Sequence, residues 1–201
     1  MRLAGTFRGR RGPLLFVWLL AASVAGIVIH QIRPRPKAAF AGDIAPSFSL
    51  PAVRGGRCDL SDLLARKRVV LLSFIDARPQ LLSRDYSDPS RGQLVSLQSM
   101  ARQYAPKGVE VLVVGCNGLC GGQPLAPNAL LNFTYDWQLD GVTVLRDDNA
   151  GTAFRYGVST LPTTLLIASD GRLQRRWDGF AAPAQLALAL ESLVGPPSFR
   201  Q

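Results

Sequence analysis

Residues 158–171 read VSTLPTTLLIASDG. Thr160-Leu161-Pro162 closes a loop, Thr163 to Ala168 is an apolar strand, and Asp170-Gly171 turns the chain into a second strand from Arg172 to Trp177. Proline cannot donate to a strand ladder, so Pro162 directly before a core strand implies a specialised turn, and a cis peptide bond is the usual reason for one. The fold is read outward from this loop.

Upstream, Arg68 to Ile75 (RVVLLSFI) and Val109 to Gly115 (VEVLVVG) are nearly continuous apolar runs, as strands covered on both faces require. Between them Asp88-Pro89 offers an N-cap and a first-turn proline. Leu94, Leu97, Ala101 and Tyr104 recur at helical spacing, and Pro106-Lys107-Gly108 stops the helix. Strand, helix and strand of this length make a right-handed parallel unit. Earlier still, Asp43 to Leu50 alternates apolar and polar residues, Arg54 to Arg57 turns, and a hairpin results, followed by a short helix through Ala65 that Ser61 can cap. Downstream, Pro127 to Trp137 reads as a helix, Val142 to Leu145 as a strand and Ala150 to Tyr156 as a short helix. After the opening stretch, Pro183 begins a last helix bearing Leu186, Leu190, Leu193 and Val194.

The N-terminal part has a different character. The chain of 201 residues carries a formal charge of +9, yet residues 1–40 hold seven basic residues and no acidic one, leaving 16 basic against 14 acidic residues elsewhere. The excess belongs to this terminus, and a nucleic-acid partner is not expected. Pro13 to Ile29 is 17 residues without a charge, long enough for a helix of roughly 26 Å that just spans a bilayer. The expected organisation is a basic cytoplasmic end (1–12), a transmembrane anchor (13–29), a Pro-rich tether (30–42), an exported domain (43–197) and a tail (198–201). Cleavage as a signal peptide is the alternative, because Ser23-Val24-Ala25 and Ala39-Phe40-Ala41 have the small-x-small form.

In order, GDIAPSFSLP, RVVLLSF, VLRDDNAGTAFRYGVSTLPTTLLIASDGRL and Trp177-Asp178-Gly179 resemble the membrane-anchored thioredoxin-like proteins. This group contains periplasmic thiol-disulfide oxidoreductases and alkyl hydroperoxide reductase/thiol-specific antioxidant domains. The resemblance implies an α/β, thioredoxin-like three-layer fold with a mixed central sheet, helices on both faces and an N-terminal hairpin. It implies a protein or peptide thiol or disulfide as substrate, with no cofactor. It also places a Cys-x-x-Cys pair after the strand matching RVVLLSF, where a helix N-terminus lowers the thiol pKa. Here that region reads Phe74-Ile75-Asp76-Ala77-Arg78-Pro79-Gln80-Leu81-Leu82, with Pro79 and Leu82 at the cysteine positions.

Three cysteines exist, at 58, 116 and 120. Cys116 and Cys120 follow the neighbouring parallel strand, whose end opens on the same sheet edge as the proline loop, and open α/β sheets bind ligands at that edge. The pair is the candidate catalytic site, with a structural disulfide and two inert thiols as the other readings. Thr160, Leu161 and Pro162 are candidate substrate contacts, joined by Asp76 and Arg78 if the chain stays extended; a local ion pair between those two is the plainer reading. Cys58 reads as an ordinary hairpin residue. A copper carrier of this fold would add a distant histidine, but the single histidine, His30, lies at the membrane boundary, and no metal site is expected. A scaffold that keeps the crevice and binds a peptide without redox chemistry completes the alternatives.

Overall fold

The computed structural model describes residues 39–77, 89–116, 127–136 and 138–196. An antiparallel hairpin opens the fold: β1 (Ser49–Pro51) pairs with β2 (Arg57–Asp59), with Leu50 opposite Cys58. Helix α1 (Leu60–Ala65) follows without a linker. It starts one residue before Ser61, which therefore does not cap it. Asp59 occupies the N-cap without a side-chain hydrogen bond, and the Leu60 N–H donates to the Phe48 carbonyl (3.1 Å), so the hairpin itself turns the chain into the helix.

The central sheet has five strands: β3 (Val69–Ile75), β4 (Val109–Gly115), β5 (Val142–Arg146), β6 (Thr163–Ile167) and β7 (Leu173–Asp178), in the order β5-β4-β3-β6-β7. Strands β3, β4 and β5 run parallel. β6 runs antiparallel to β3, with Phe74 opposite Thr163, and β7 antiparallel to β6. All seven residues of β3 are buried, as its unbroken apolar run requires of a strand covered on both faces. Its alternation distributes them. Val69, Leu71 and Ile75 enter a core shared with α2 (Pro89–Tyr104), α3 (Pro127–Asp136) and α5 (Pro183–Val194). Val70, Leu72 and Phe74 enter a second core shared with the hairpin, α1 and α4 (Gly151–Arg155). Helices thus cover both faces of a mixed sheet, which is the thioredoxin-like three-layer architecture.

Most element boundaries depart from the sequence expectations by a residue or so, but the first hairpin strand is only Ser49–Pro51, not the whole alternating stretch from Asp43 to Leu50. Arg68 stays outside β3 because its N–H closes the end of α1 on the Leu63 carbonyl (3.0 Å). Helix α4 begins at Gly151 since Ala150 adopts a left-handed conformation (φ 51°) as N-cap. The first described residues are already packed: Ala39 is buried in the second core, and the Gly42 N–H donates to the Leu173 carbonyl (2.7 Å). Among the described residues no helix is long and apolar enough to cross a membrane; Pro13 to Ile29 lies outside them.

Candidate functional site

Topology gathers the chemistry-bearing residues at one edge of the sheet. Strand β3 ends at Ile75, and Asp76 and Ala77 continue it as buried residues, Asp76 being 4% exposed. On one side of Ile75 runs β4, which ends at Gly115 and leads into Cys116. On the other side β6 begins at Thr163, directly after Pro162. The Leu161–Pro162 peptide is cis, as the sequence suggests. Thr160 is exposed, Leu161 half-buried against the second core, and Pro162 buried with its carbonyl accepting the Gly179 N–H (2.8 Å). Asp76, Cys116 and Pro162 therefore share one edge. Cys116 and Pro162 flank the end of β3 from opposite sides, two strand spacings or roughly 10 Å apart.

Cys116 is turned away from solvent. Strand alternation sends Leu112, Val114 and Cys116 to the same face, and the thiol lies in the core with Phe74, Leu145, Ala153 and Tyr156 at 0% exposure. Its N–H donates to the Ile75 carbonyl (3.2 Å), and its Sγ lies 3.5 Å from the same oxygen. Thiol-disulfide exchange needs an accessible sulfur, and Cys116 offers none while the fold is closed. Gly115 beside it allows close packing at the strand end. A Cβ there would stand 3.1 Å from the Leu130 Cδ2 of α3. Two of the predicted site residues, Arg78 and Cys120, lie outside the described residues, as does His30.

Cys58 is half-buried in β2. Burial pushes its thiol up to about 11, assisted by the negative charges of Glu110, Asp59 and Asp62. It is a thiol at neutral pH and not a nucleophilic thiolate.

Sequence reasoning missed what holds the proline loop. The Arg176 side chain on β7 is 8% exposed, and its guanidinium reaches back across the sheet. Nη1 donates to the Tyr156 carbonyl (2.8 Å) and Nη2 to the Gly157 carbonyl (3.1 Å), at the start of the loop. Nε and Nη2 also grip Asp178, at 3.0 and 2.8 Å. The Thr163 hydroxyl, next to the proline, has its single proton between two acceptors, the Thr160 carbonyl (2.7 Å) and Asp178 Oδ1 (3.0 Å). Burial raises the Asp178 carboxyl, but the hydrogen bonds and charge of Arg176, with help from Thr163, outweigh it and hold the group below its ordinary value. Both ends of the 157–163 loop are thus tied to β7. The only sequence signal for this was the Trp177-Asp178-Gly179 motif; nothing local marks Arg176.

A second carboxylate fixes the approach to the loop. Asp147 is buried, and its two oxygens accept the N–H groups of Thr152 (3.2 Å) and Ala153 (2.8 Å) at the start of α4. That helix leads into Tyr156, whose hydroxyl donates to the Pro46 carbonyl (2.7 Å) and whose ring packs against Phe74 with centroids 5.5 Å apart. Among the described residues no group of three or more His, Cys, Asp or Glu is placed to hold a metal ion.

Known proteins resemble this chain in sequence and fold. The chain is 25% identical over 179 residues to thiol-disulfide oxidoreductase ResA of Oceanobacillus iheyensis, covering 88% of this chain and 81% of that protein. Among solved structures, a thiol:disulfide interchange protein DsbE from Chlorobium tepidum superposes with a TM-score of 0.62 at 26% identity, over 79% of this chain and 99% of that one. The exposed lipoprotein thioredoxin Etrx1 of Streptococcus pneumoniae gives 0.59 at 24% identity, over 74% and 100%, and supports the fold. The family model described as AhpC/TSA matches residues 41–176, a span that runs from the approach to the hairpin, through the parallel strands and the cis-proline loop, to the arginine that ties that loop down. By that match the chain belongs to the AhpC/TSA family.

Proposed function

We propose that this redoxin-family chain is a membrane-anchored, exported protein that holds a polypeptide at its Pro162 edge without dithiol exchange at the end of β3. One observation carries this reading. The docking loop is built and tied at both ends, while Cys116, the one described cysteine at that edge, is shut inside the core. The chain contains no Cys-x-x-Cys, and the positions after β3 that hold thiols in similar proteins are Pro79 and Leu82. A polypeptide laid beside Thr160 and Leu161 would be held by backbone contacts and apolar packing, neither of which requires a thiol. Pro13 to Ile29 supplies the anchor.

The test compares the full chain with a variant lacking all three thiols (Cys58→Ser, Cys116→Ala, Cys120→Ser), using a reduced and alkylated unfolded polypeptide as probe. Equal affinities for the two proteins, with weaker binding by Thr160→Arg, are expected. Loss of binding in the thiol-free but folded variant would overturn the reading.

A specific observation favours a second reading. Cys116 directly follows β4 and is bonded to Ile75, so a pair with Cys120 would sit at the same edge as Pro162. With Cys116 enclosed, attack on a substrate disulfide falls to Cys120. A mixed disulfide forms, one substrate thiolate leaves, and Cys116 then displaces the second to close a Cys116–Cys120 disulfide. Turnover of a disulfide substrate that disappears in Cys120→Ser would select this reading over the first.

A further inference from the structure

The end of the sheet opposite Pro162 carries a surface with its own chemistry. Residues 42–45 run along the start of β7 there. Gly42 and Ala45 donate to the carbonyls of Leu173 and Gly171, and Ile44 bridges Arg172. The turn at Gly171 follows β6, whose five residues at about 3.3 Å each put roughly 17 Å between this end and the proline loop. The first described residue, Ala39, lies three residues before this stretch.

Two large apolar side chains stand out of this surface, Phe40 at 54% and Ile44 at 61% exposed. Cations share this end of the sheet. Arg66 and Lys67 are exposed in the loop before β3, Arg172 is exposed beside Ile44, and Lys107 precedes β4, which starts in register with β3. Arg68 at the same end is paired with Glu110 (3.7 Å). Of the nearby carboxylates, Asp43 accepts from the Phe40 N–H (3.0 Å), Asp170 from the Arg172 N–H (2.9 Å) and Glu191 from the Tyr104 hydroxyl (3.1 Å), while exposed Asp62 stands one helical turn before Arg66. In sequence, Arg33, Arg35 and Lys37 come immediately before, after the uncharged run from Pro13 to Ile29.

Exposed apolar side chains that share one end of the sheet with exposed cations, a few residues in sequence after Arg33, Arg35, Lys37 and the uncharged run, suit a bilayer interface with anionic headgroups. Apolar groups enter the headgroup boundary, while lysines and arginines stay at the phosphates. We infer that the β3-start end of the domain, through Phe40, Ile44, Arg66, Lys67 and Arg172, lies against an anionic lipid surface and so turns the Pro162 edge away from the membrane. The inference rests on the reading that Pro13 to Ile29 anchors the chain. It supplies what a tether alone does not, a fixed orientation of the docking edge.

The experiment uses the full chain carrying Ile44→Trp, with wild type as the background for Trp18, Trp137 and Trp177. Both are reconstituted in phosphatidylcholine vesicles with and without phosphatidylglycerol, and a brominated phosphatidylcholine serves as quencher. The added indole is expected to emit to the blue and to be quenched in the anionic vesicles. Arg66→Glu with Lys67→Glu in the same background is expected to lower the ratio of quenched to unquenched emission about tenfold or more. Water-like, unquenched emission in anionic vesicles, from protein whose circular dichroism is native, would overturn the proposal. So would a shift that follows protein density without lipid quenching, since a second copy would then cover the patch. Flotation after alkaline carbonate separates the two failures. Release from the vesicles removes the anchor reading, whereas retention of an Ile44→Trp protein whose added indole stays unquenched removes only the orientation.

Discussion

Arg176 decides how the proline loop is held, because one guanidinium makes bonds that no other residue of β7 can replace. It satisfies the Tyr156 and Gly157 carbonyls and neutralises Asp178 from a nearly buried position. Arg176→Ala would leave two loop carbonyls without their donor and Asp178 without its cation, at a cost of about 2–3 kcal/mol. Arg176→Lys keeps the charge but not the planar fork, and recovers only part of this. The acid limb of stability provides a separate readout. Asp178 is held below its ordinary value in the folded state, so its contribution is present above about pH 4, the unfolded carboxylate value, and is lost as pH falls through the folded value. Urea midpoints measured from pH 6 downward should therefore fall less steeply in Arg176→Ala than in wild type, and equal slopes would show that the pair does not set the carboxyl.

Among the elements, α4 depends most on a single side chain. Five residues of helix have little stability of their own, since nucleation costs more than so few bonds return. Asp147 compensates by accepting two of the N–H groups that every helix start leaves open. Asp147→Ala should cost about 1–2 kcal/mol in chemical denaturation, and Asp147→Asn, which keeps one acceptor oxygen, should cost less. The larger elements were legible in sequence for a plain reason. RVVLLSFI, VEVLVVG and TTLLI are apolar almost throughout, and Pro89 and Pro183 mark helix starts. What stayed hidden involved faces and distant partners. In VEVLVVGC a nearly continuous apolar run does not say which face is which, so the burial of Cys116 follows only from the packing of β4 between β3 and β5. Nothing local in the sequence sets Arg176 apart, because its partners lie 19 and 20 residues away in another element. Ser61 has the chemistry of a cap, but the hairpin already turns the chain into the helix at Leu60.

At the scale of the whole molecule, the two described thiols report different things. Cys58 is limited by ionisation. With its value near 11, roughly one molecule in a thousand carries the thiolate at pH 8, and alkylation should accelerate about tenfold per pH unit until that value is approached. Its raised value also means that the stability it contributes is full below about pH 8.5 and is lost as pH rises toward 11. Cys116 is limited by access instead. It belongs to the core that joins β3, β4, α4 and the hairpin, so a reagent reaches it only when that core opens. In reduced protein at fixed pH, Cys116 labelling should follow opening of the core, rising with urea as the global unfolding free energy falls, while Cys58 responds mainly to pH. Peptide-resolved mass spectrometry after timed alkylation separates the two sites. Rapid labelling of Cys116 in the absence of denaturant would show that the Pro162 edge opens in the native state, and the exchange chemistry assigned to Cys116 and Cys120 would then have the access that the closed fold withholds.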